Sequence, residues 1–266
     1  MTKLFSTEVE ALGLRGRIWT AWPGASHGRV QPGPGPANRG PAYVLIHGIG
    51  VSHRYLARLH AVLAASGPTY SLDLPGFGGT PKPESRLSVA DYGAFVAAVL
   101  KSLGIDSYYL VGHSMGVQFA IETALHRPDA VHGLVLMGPV VDSRHKNVGR
   151  QSLALTIDGL FHESPSSNWI VLTDYLRCGV RWYFTELPVM MAYPTLERVA
   201  DLQVPVLVLR GERDPVAGPD WSLRLSRAAA DGRLSEIPGC GHVVQHLQPK
   251  AVADAIKSFV SPAPEA

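Results

Sequence analysis

The sequence predicts an α/β fold in which a mostly parallel sheet is covered by helices on both faces. Short apolar, β-branched runs alternate with longer segments whose apolar residues recur every three or four positions, as in repeated strand–helix units. Several of the short runs are apolar throughout, which is typical of strands buried on both faces of a parallel sheet. With 266 residues, 46% hydrophobic and 17% charged, the chain can bury a large core as one such domain.

A hairpin is predicted at the start of the chain. Strands are expected at 7–12 and 18–22, with the turn between them at 13–16. Residues 23–41 are rich in Pro and Gly, which exclude a helix or an interior strand. We interpret them as a surface loop without a role in chemistry.

Six further strands bring the predicted total to eight. They are expected at 43–46, 69–73, 108–111, 133–137, 205–209 and 234–237. Apolar residues at helical spacing predict helices at 54–65, 89–103, 117–126 and 249–260. In the first of these helices, Leu56, Leu59 and Leu63 share one face.

The alternation of strands and helices stops between 139 and 204. Apolar residues there follow a helical spacing, first in Leu153, Ile157 and Leu160 and then from Ile170 to Leu176. We therefore predict a helical insertion, a cap, at residues 141–198 after the sixth core strand. It divides the α/β core into a first part, 1–140, and a second part, 199–266.

Residues 112–116 read Gly-His-Ser-Met-Gly, directly after a predicted strand and before a predicted helix. A sharp turn in this context holds its central residue in a strained conformation and raises the side chain above the sheet. Ser114 is therefore the predicted nucleophile. The alternative is a serine in an ordinary Gly-rich turn.

A serine hydroxyl needs a base within hydrogen-bond reach and a third group that orients the base. Asp214 and His242 each lie on a loop just after a predicted strand. In open α/β sheets the chemistry lies outside the carboxyl ends of the strands, so these two residues and Ser114 are expected at one edge.

Other residues compete for these roles. Asp142 is an alternative acid, while Asp214 itself could simply form an Asx turn before a proline. His246 is an alternative base, and Cys240 is a weak alternative nucleophile. His47 and His113 flank motif positions, and we interpret them as packing or supporting groups.

The chain resembles α/β-hydrolase-fold enzymes over nearly its whole length. The segments that carry the resemblance are His-Gly-Ile-Gly at 47–50, Asp-Leu-Pro-Gly-Phe-Gly at 73–78, the pentapeptide at 112–116, and the residues at 211–214 and 241–242. The order Ser, Asp, His along the chain is also that of this family.

The resemblance implies a role for each site residue. Ser114 attacks, His242 takes its proton and returns it to the leaving group, and Asp214 orients His242. The backbone N–H groups of Ile49 and Met115 form the oxyanion hole.

In this family such a cap roofs the active site and largely sets the substrate. The candidate substrate-binding residues in it are Trp169, Tyr175, Arg181, Trp182 and Met190. An aromatic and Met-rich lining indicates an apolar or aromatic small-molecule substrate. The alternative is that these side chains only pack the cap onto the core.

Three functions stay open. The first is a serine hydrolase that cleaves a carboxylic ester, thioester or lactone through an acyl-enzyme. The second is a carbon–carbon bond hydrolase of ring-fission products, for which Arg177 or Arg181 would bind the substrate carboxylate, although Val243 stands where such enzymes usually carry an aromatic residue. The third is a non-catalytic small-ligand receptor. Dehalogenases and epoxide hydrolases use an aspartate nucleophile, so Ser114 disfavours both.

Composition argues against several other classes. The net charge is +2 without a Lys/Arg run, so no nucleic acid is expected as a partner. No apolar stretch approaches the roughly 18 residues that span a bilayer, and no signal core opens the chain, so we expect no membrane and a cytoplasmic location. Two cysteines provide no disulfide framework. The sequence leaves the oligomeric state open, with a homo-oligomer among the alternatives.

No metal and no cofactor are expected either. The chain carries no His-Glu-x-x-His or Cys-x-x-Cys pattern that would indicate a metal site. The Gly-x-Gly at 48–50 resembles the start of a dinucleotide-binding loop, and Asp73 is close to where the acidic residue of that motif would stand. His53, however, occupies the position of the third glycine, which argues against a nicotinamide cofactor.

Overall fold

The computed structural model of this chain describes residues 4–23, 42–142 and 164–261, which are built around one eight-stranded sheet. Its strands are β1 (Phe5–Ala11), β2 (Leu14–Ala21), β3 (Ala42–Ile46), β4 (Thr69–Asp73), β5 (Tyr108–His113), β6 (Val131–Met137), β7 (Val206–Gly211) and β8 (Gly232–Ile237). Their order across the sheet is β1-β2-β4-β3-β5-β6-β7-β8.

The sheet is mostly parallel. The β1–β2 and β2–β4 pairs are antiparallel, and every pair from β4–β3 to β7–β8 is parallel. This confirms the predicted fold class. It also places the ends of β3 to β8 at one edge of the sheet, where the loops that follow them meet.

Helices cover both faces of the sheet. They are α1 (His53–Leu63), α2 (Val89–Ser102), α3 (Gly116–His126), α4 (Pro165–Cys178), α5 (Val180–Ala192), α6 (Thr195–Ala200), α7 (Pro219–Ala228), α8 (Val244–Leu247) and α9 (Pro249–Val260). The two faces form separate cores because side chains alternate along a strand: Val44 packs with α2 and α3, whereas Leu45 packs with α1 and α9.

The hairpin turn is shorter than predicted. Ala11 pairs with Leu14, so the turn is Leu12-Gly13 and not residues 13–16. Both turn residues have positive φ, 52° and 73°, which suits the two-residue turns that match the twist of a hairpin. Gly16 lies inside the ladder opposite Val9. The Pro- and Gly-rich loop predicted at 23–41 lies outside the described residues, apart from its first residue.

Helices α4 to α6 follow β6, where the helical insertion is predicted. The part of that prediction carried by Leu153, Ile157 and Leu160 lies outside the described residues. Asp174 on α4 accepts hydrogen bonds from Ser52 Oγ at 2.6 Å and from Arg54 Nη1 at 2.8 Å, which join α4 to the start of α1.

A second group of contacts joins the other end of these helices to the core. Glu122 on α3 accepts from Tyr193 Oη at 2.8 Å and from Arg198 Nε at 2.9 Å. Burial acts to raise the pKa of Glu122, but Arg198 and Tyr193 outweigh it and hold that pKa below its ordinary value.

None of the helices in the described ranges is both long and apolar enough to cross a membrane.

Candidate active site

Ser114 occupies a strained turn between β5 and α3. Its φ is +57°, and among the described residues only Leu12 shares a positive φ without being glycine. Such a conformation costs on the order of 1–3 kcal/mol and needs support from its surroundings. Ser114 N donates to Met137 O at 3.0 Å, and a Cβ on Gly116 would stand only 2.3 Å from Ile46 O. The close packing of the turn on neighbouring strands therefore maintains it.

Asp214 and His242 form a buried pair. Asp214 follows β7, His242 follows β8, and Asp214 Oδ2 lies 2.9 Å from His242 Nδ1. The other carboxylate oxygen accepts from the amides of Val216 at 2.8 Å and Ala217 at 3.0 Å. Because a carboxylate only accepts, His242 Nδ1 carries the proton and Nε2 is the basic nitrogen.

The surroundings keep Asp214 ionised. Burial alone would raise the pKa of Asp214, but His242 and the amides of Ala217 and Val216 together lower it below its ordinary value. An ionised carboxylate can orient His242 and can also stabilise its protonated form.

Arg210 supports the loop that carries Asp214, and sequence reasoning did not identify it. It lies at the end of β7, where its Nε donates to Ala217 O at 2.6 Å and its Nη2 donates to Asp214 O at 3.2 Å. The guanidinium also pairs with Glu236 on β8. An arginine at the end of an otherwise apolar strand was the signal available in the sequence.

The loops that follow β3, β6 and β8 lie beside Ser114 or beside the preceding residue, His113. A Cβ on Gly48, after β3, would lie 3.0 Å from Ser114 Cβ and 3.4 Å from Ser114 Oγ. A Cβ on Gly138, after β6, would lie 3.0 Å from His242 Cε1 and 3.3 Å from His113 Nε2. The rings of His113 and His242 are 4.7 Å apart between centroids. Because Gly48 and Gly138 have no side chains, there is room for the Ser114 hydroxyl and the His242 imidazole.

Ile49 and Met115 are buried next to this point, at 5% and 0% exposure. Ile49 follows Gly48, which contacts Ser114, and Met115 is the residue after Ser114. Their backbone N–H groups as an oxyanion hole remain a prediction.

The competing acid and base have other partners. Asp142 Oδ1 accepts from Arg224 Nη2 at 2.7 Å. His246 Nε2 lies 3.0 Å from Ser166 Oγ, and burial, aided by Arg58, lowers the pKa of His246 to about 4. Asp142 and His246 thus have partners of their own, and Asp214 contacts His242.

The predicted substrate-binding residues lie in two different places. A Cβ on Gly50 would stand 2.7 Å from the Tyr175 ring, and one on Gly76 would stand 2.3 Å from Trp182 Nε1, so both aromatic side chains cover core loops. Met190 is buried in the same hydrophobic core as Trp182, and its carbonyl accepts from Gln118 Nε2 at 3.0 Å. Trp169 is 65% exposed and Arg181 is also exposed, so the structure does not bring them to this group.

Asp73, considered above for a dinucleotide, has partners within the protein. Its carboxylate accepts from Trp19 Nε1 at 2.8 Å and contacts His53 Nδ1 at 2.8 Å. Burial acts to raise the pKa of Asp73, but His53 outweighs it and the pKa stays below its ordinary value.

Across the described ranges, no group of three or more His, Cys, Asp or Glu side chains is placed to hold a metal ion.

Several proteins that are similar to this chain are hydrolases. The chain is 23% identical over 243 residues to (E)-2-((N-methylformamido)methylene)succinate hydrolase of Acinetobacter baylyi, covering 85% of this chain and 92% of the relative. It is 24% identical over 250 residues to carboxylesterase YbfK of Bacillus subtilis, covering 87% and 83%. The structure of the enol-lactonase from Burkholderia xenovorans LB400 has a TM-score of 0.78 at 16% identity and covers 96% of this chain and 100% of its own.

These relatives support hydrolase activity, and the similarity in structure confirms the fold. The sequence profile of the Alpha/beta hydrolase family matches residues 43–255, which include most of the core and both Asp214 and His242. The chain therefore belongs to the alpha/beta hydrolase family.

Proposed function

We propose that this chain is a serine hydrolase that cleaves a carboxylic ester, thioester or lactone of an apolar or aromatic small molecule through an acyl-enzyme. The observation that carries the proposal is the buried hydrogen bond between Asp214 and His242 in the loops that converge on the strained Ser114 turn. The carboxylesterase and the enol-lactonase among the similar proteins agree with this class of substrate.

The roles of the site residues follow the course of the reaction. His242 Nε2 accepts the proton of Ser114 Oγ as the oxygen attacks the substrate carbonyl. The N–H groups of Ile49 and Met115 stabilise the negative oxygen of the tetrahedral intermediate, and one such donor is typically worth about 3 kcal/mol. His242 then protonates the leaving group. Water, activated by the same imidazole, attacks the acyl-enzyme and releases the acid.

Asp214 affects His242 in two ways. Its hydrogen bond holds the proton on Nδ1, so that the basic Nε2 is available for the serine. Its negative charge also stabilises the imidazolium that forms when His242 takes the serine proton.

We also propose that residues 141–198 form a cap over this site. Tyr175 and Trp182, which cover core loops, and the buried Met190 are the candidates for contact with the substrate. The outward positions of Trp169 and Arg181 do not support such a contact for them. A lining of this composition binds mainly by burying apolar area.

Carbon–carbon bond hydrolysis of ring-fission products is the alternative that the sequence leaves open. It requires a cation near the substrate carboxylate. Arg177 is about half exposed and Arg181 is exposed, so neither is placed beneath the proposed cap. The ester, thioester or lactone substrate therefore has the stronger support.

A fluorophosphonate probe and p-nitrophenyl esters of rising chain length test the proposal. The wild type should be labelled and should turn over at least one ester, whereas Ser114→Ala should lose labelling and Ser114→Ala and His242→Ala should each lose turnover by several orders of magnitude while staying folded. Labelling without ester turnover would favour carbon–carbon cleavage. A wild type that is neither labelled nor active would favour a ligand receptor.

A further inference from the structure

We propose that Tyr55 and His113 are positioning residues that hold the loop of Ile49, the Ser114 turn and the loop of His242 in one arrangement. Three buried hydrogen bonds connect these parts of the chain. The proposal concerns how those parts are held together, and its significance for catalysis rests on the proposed function.

The three hydrogen bonds form one continuous chain. Gly48 N donates to Tyr55 Oη at 2.8 Å, and Tyr55 Oη lies 2.7 Å from His113 Nδ1. His113 Nε2 lies 2.9 Å from the carbonyl oxygen of His242. Tyr55 and His113 are 2% and 1% exposed, so water does not compete for these bonds. Gly48 precedes Ile49, and His113 precedes Ser114.

The partners determine the direction of every bond in the chain. The His242 carbonyl can only accept, so His113 Nε2 carries the ring proton. In the neutral ring Nδ1 then accepts, and Tyr55 must donate to it. The Gly48 amide can only donate, so Tyr55 Oη receives its hydrogen. Each group can take only one role here, as donor or as acceptor, so the hydrogen-bond chain favours a single geometry.

His113 also stays neutral beside its histidine neighbour. Burial, with a further contribution from His242, lowers the pKa of His113 to about 3. Its ring therefore keeps the same hydrogen bonds when His242 is protonated during the reaction. A second imidazolium would repel the first, and this arrangement prevents it.

Removing the Tyr55 hydroxyl should release both neighbours at once. In Tyr55→Phe the Gly48 amide and His113 Nδ1 each lose a partner, while ring volume is kept. A misplacement of about 1 Å in such a site typically costs up to about a hundredfold in rate. We expect kcat to fall about 10- to 100-fold and KM to stay within about twofold. Tyr109→Phe is the matched control, because its hydroxyl contacts Val260 O, away from the site.

Two substitutions of His113 each break the series of hydrogen bonds on one side of the ring and keep it on the other. An asparagine amide sits near the place of Nδ1, so His113→Asn keeps the contact with Tyr55 and loses the one with His242. A glutamine amide reaches the place of Nε2, so His113→Gln does the reverse. Hydrogen exchange followed by mass spectrometry should show faster exchange at 241–243 in the first variant and at 47–50 in the second.

The exchange measurement does not depend on catalysis, so it separates the two proposals. Tyr55→Phe should speed exchange at 47–50, where the hydrogen bond to Gly48 N is lost, and leave β1 and β2 as in the wild type. If exchange at 47–50 matches that of Tyr109→Phe, or if Tyr55→Phe keeps the kcat of an active wild type, the positioning role is wrong. If exchange responds as expected but the wild type cleaves no ester, the positioning role stands and the proposed hydrolase function fails.

Discussion

His47 donates a hydrogen bond from Nδ1 to the carbonyl oxygen of its neighbour Gly48 at 2.8 Å. Its other ring nitrogen, Nε2, accepts from Leu74 N at 3.1 Å, so the ring is neutral with one defined tautomer. Burial lowers the pKa of His47, although Asp73 and the Gly48 carbonyl partly oppose this. The peptide that His47 holds is the one whose N–H belongs to Ile49.

His47→Phe should therefore disturb the proposed oxyanion hole more than substrate binding. The peptide between Gly48 and Ile49 becomes free to rotate, and we expect kcat to fall about 10- to 100-fold while KM changes little. Steady-state kinetics on a p-nitrophenyl ester measure both. His60→Phe is the control, because His60 is equally buried but contacts Ser71, away from Ser114. Equal losses of kcat in the two variants would contradict the role of His47.

Asp214→Asn should lower kcat by about four orders of magnitude and leave the fold intact. The amide can donate to Nδ1, which would place the ring proton on Nε2 and remove the base for Ser114. Asp142→Asn is the matched control, since Asp142 contacts Arg224 and not His242. Rates that fall equally in both variants would show that the acid has been assigned wrongly.

Gly138→Ala tests the space beside His242. The added Cβ would lie 3.0 Å from His242 Cε1, and φ at this position is +54°, where a side chain costs roughly 1–2 kcal/mol. We expect a displaced imidazole, a fall in kcat of about a hundredfold and a lower melting temperature. Gly218→Ala is the control, because its φ is −61° and nothing lies within 4 Å of the added atom. A Gly138→Ala enzyme with wild-type kcat would contradict the packing described here.

Glu186 should make the stability of the protein depend on pH. It is fully buried on α5, and neither carboxyl oxygen has a hydrogen bond of normal geometry. Burial raises the pKa of Glu186 from 4.5 to about 7, against smaller opposing effects of the Tyr92 hydroxyl and Arg86. The folded protein thus holds a proton that the unfolded chain releases at lower pH.

The stability that this proton contributes is complete below pH 4.5 and is lost as pH rises through about 7. From pH 5 to pH 8.5 we expect the contribution of Glu186 to the free energy of unfolding to fall by about 2–3 kcal/mol. In urea titrations Glu186→Gln should remove this part of the pH dependence, whereas Glu10→Gln, on the exposed face of β1, should keep it. An unchanged pH dependence in Glu186→Gln would contradict the prediction.

The order of strands and helices could be predicted because several core strands, such as β3 and β7, contain continuous apolar runs, and the longer core helices carry apolar residues at helical spacing. Ser114, Asp214 and His242 could be placed at one edge because each follows a strand, and parallel strands end together. The partners of Tyr55 and Asp73 could not be predicted. Tyr55 contacts His113 across 58 residues, and Asp73 contacts Trp19 across 54, so only the folded chain brings them together.

The hairpin turn was misplaced for a local reason. Gly13 and Gly16 are both compatible with a turn, and only the pairing of Ala11 with Leu14 decides between them. Arg210 was missed because charge on a strand is usually a sign of exposure. Here every hydrogen bond that the guanidinium makes lies on the loop it supports or on the adjacent strand.

Two carboxylates, Asp174 and Glu122, tether helices α4 to α6 at both ends, and each tether includes an arginine. If helices α4 to α6 move as one body with both tethers intact, they can tilt about the line that joins the tethers but cannot move away from the sheet as a whole. Under the proposal that these helices cover Ser114, a small molecule would then enter from one side of that line.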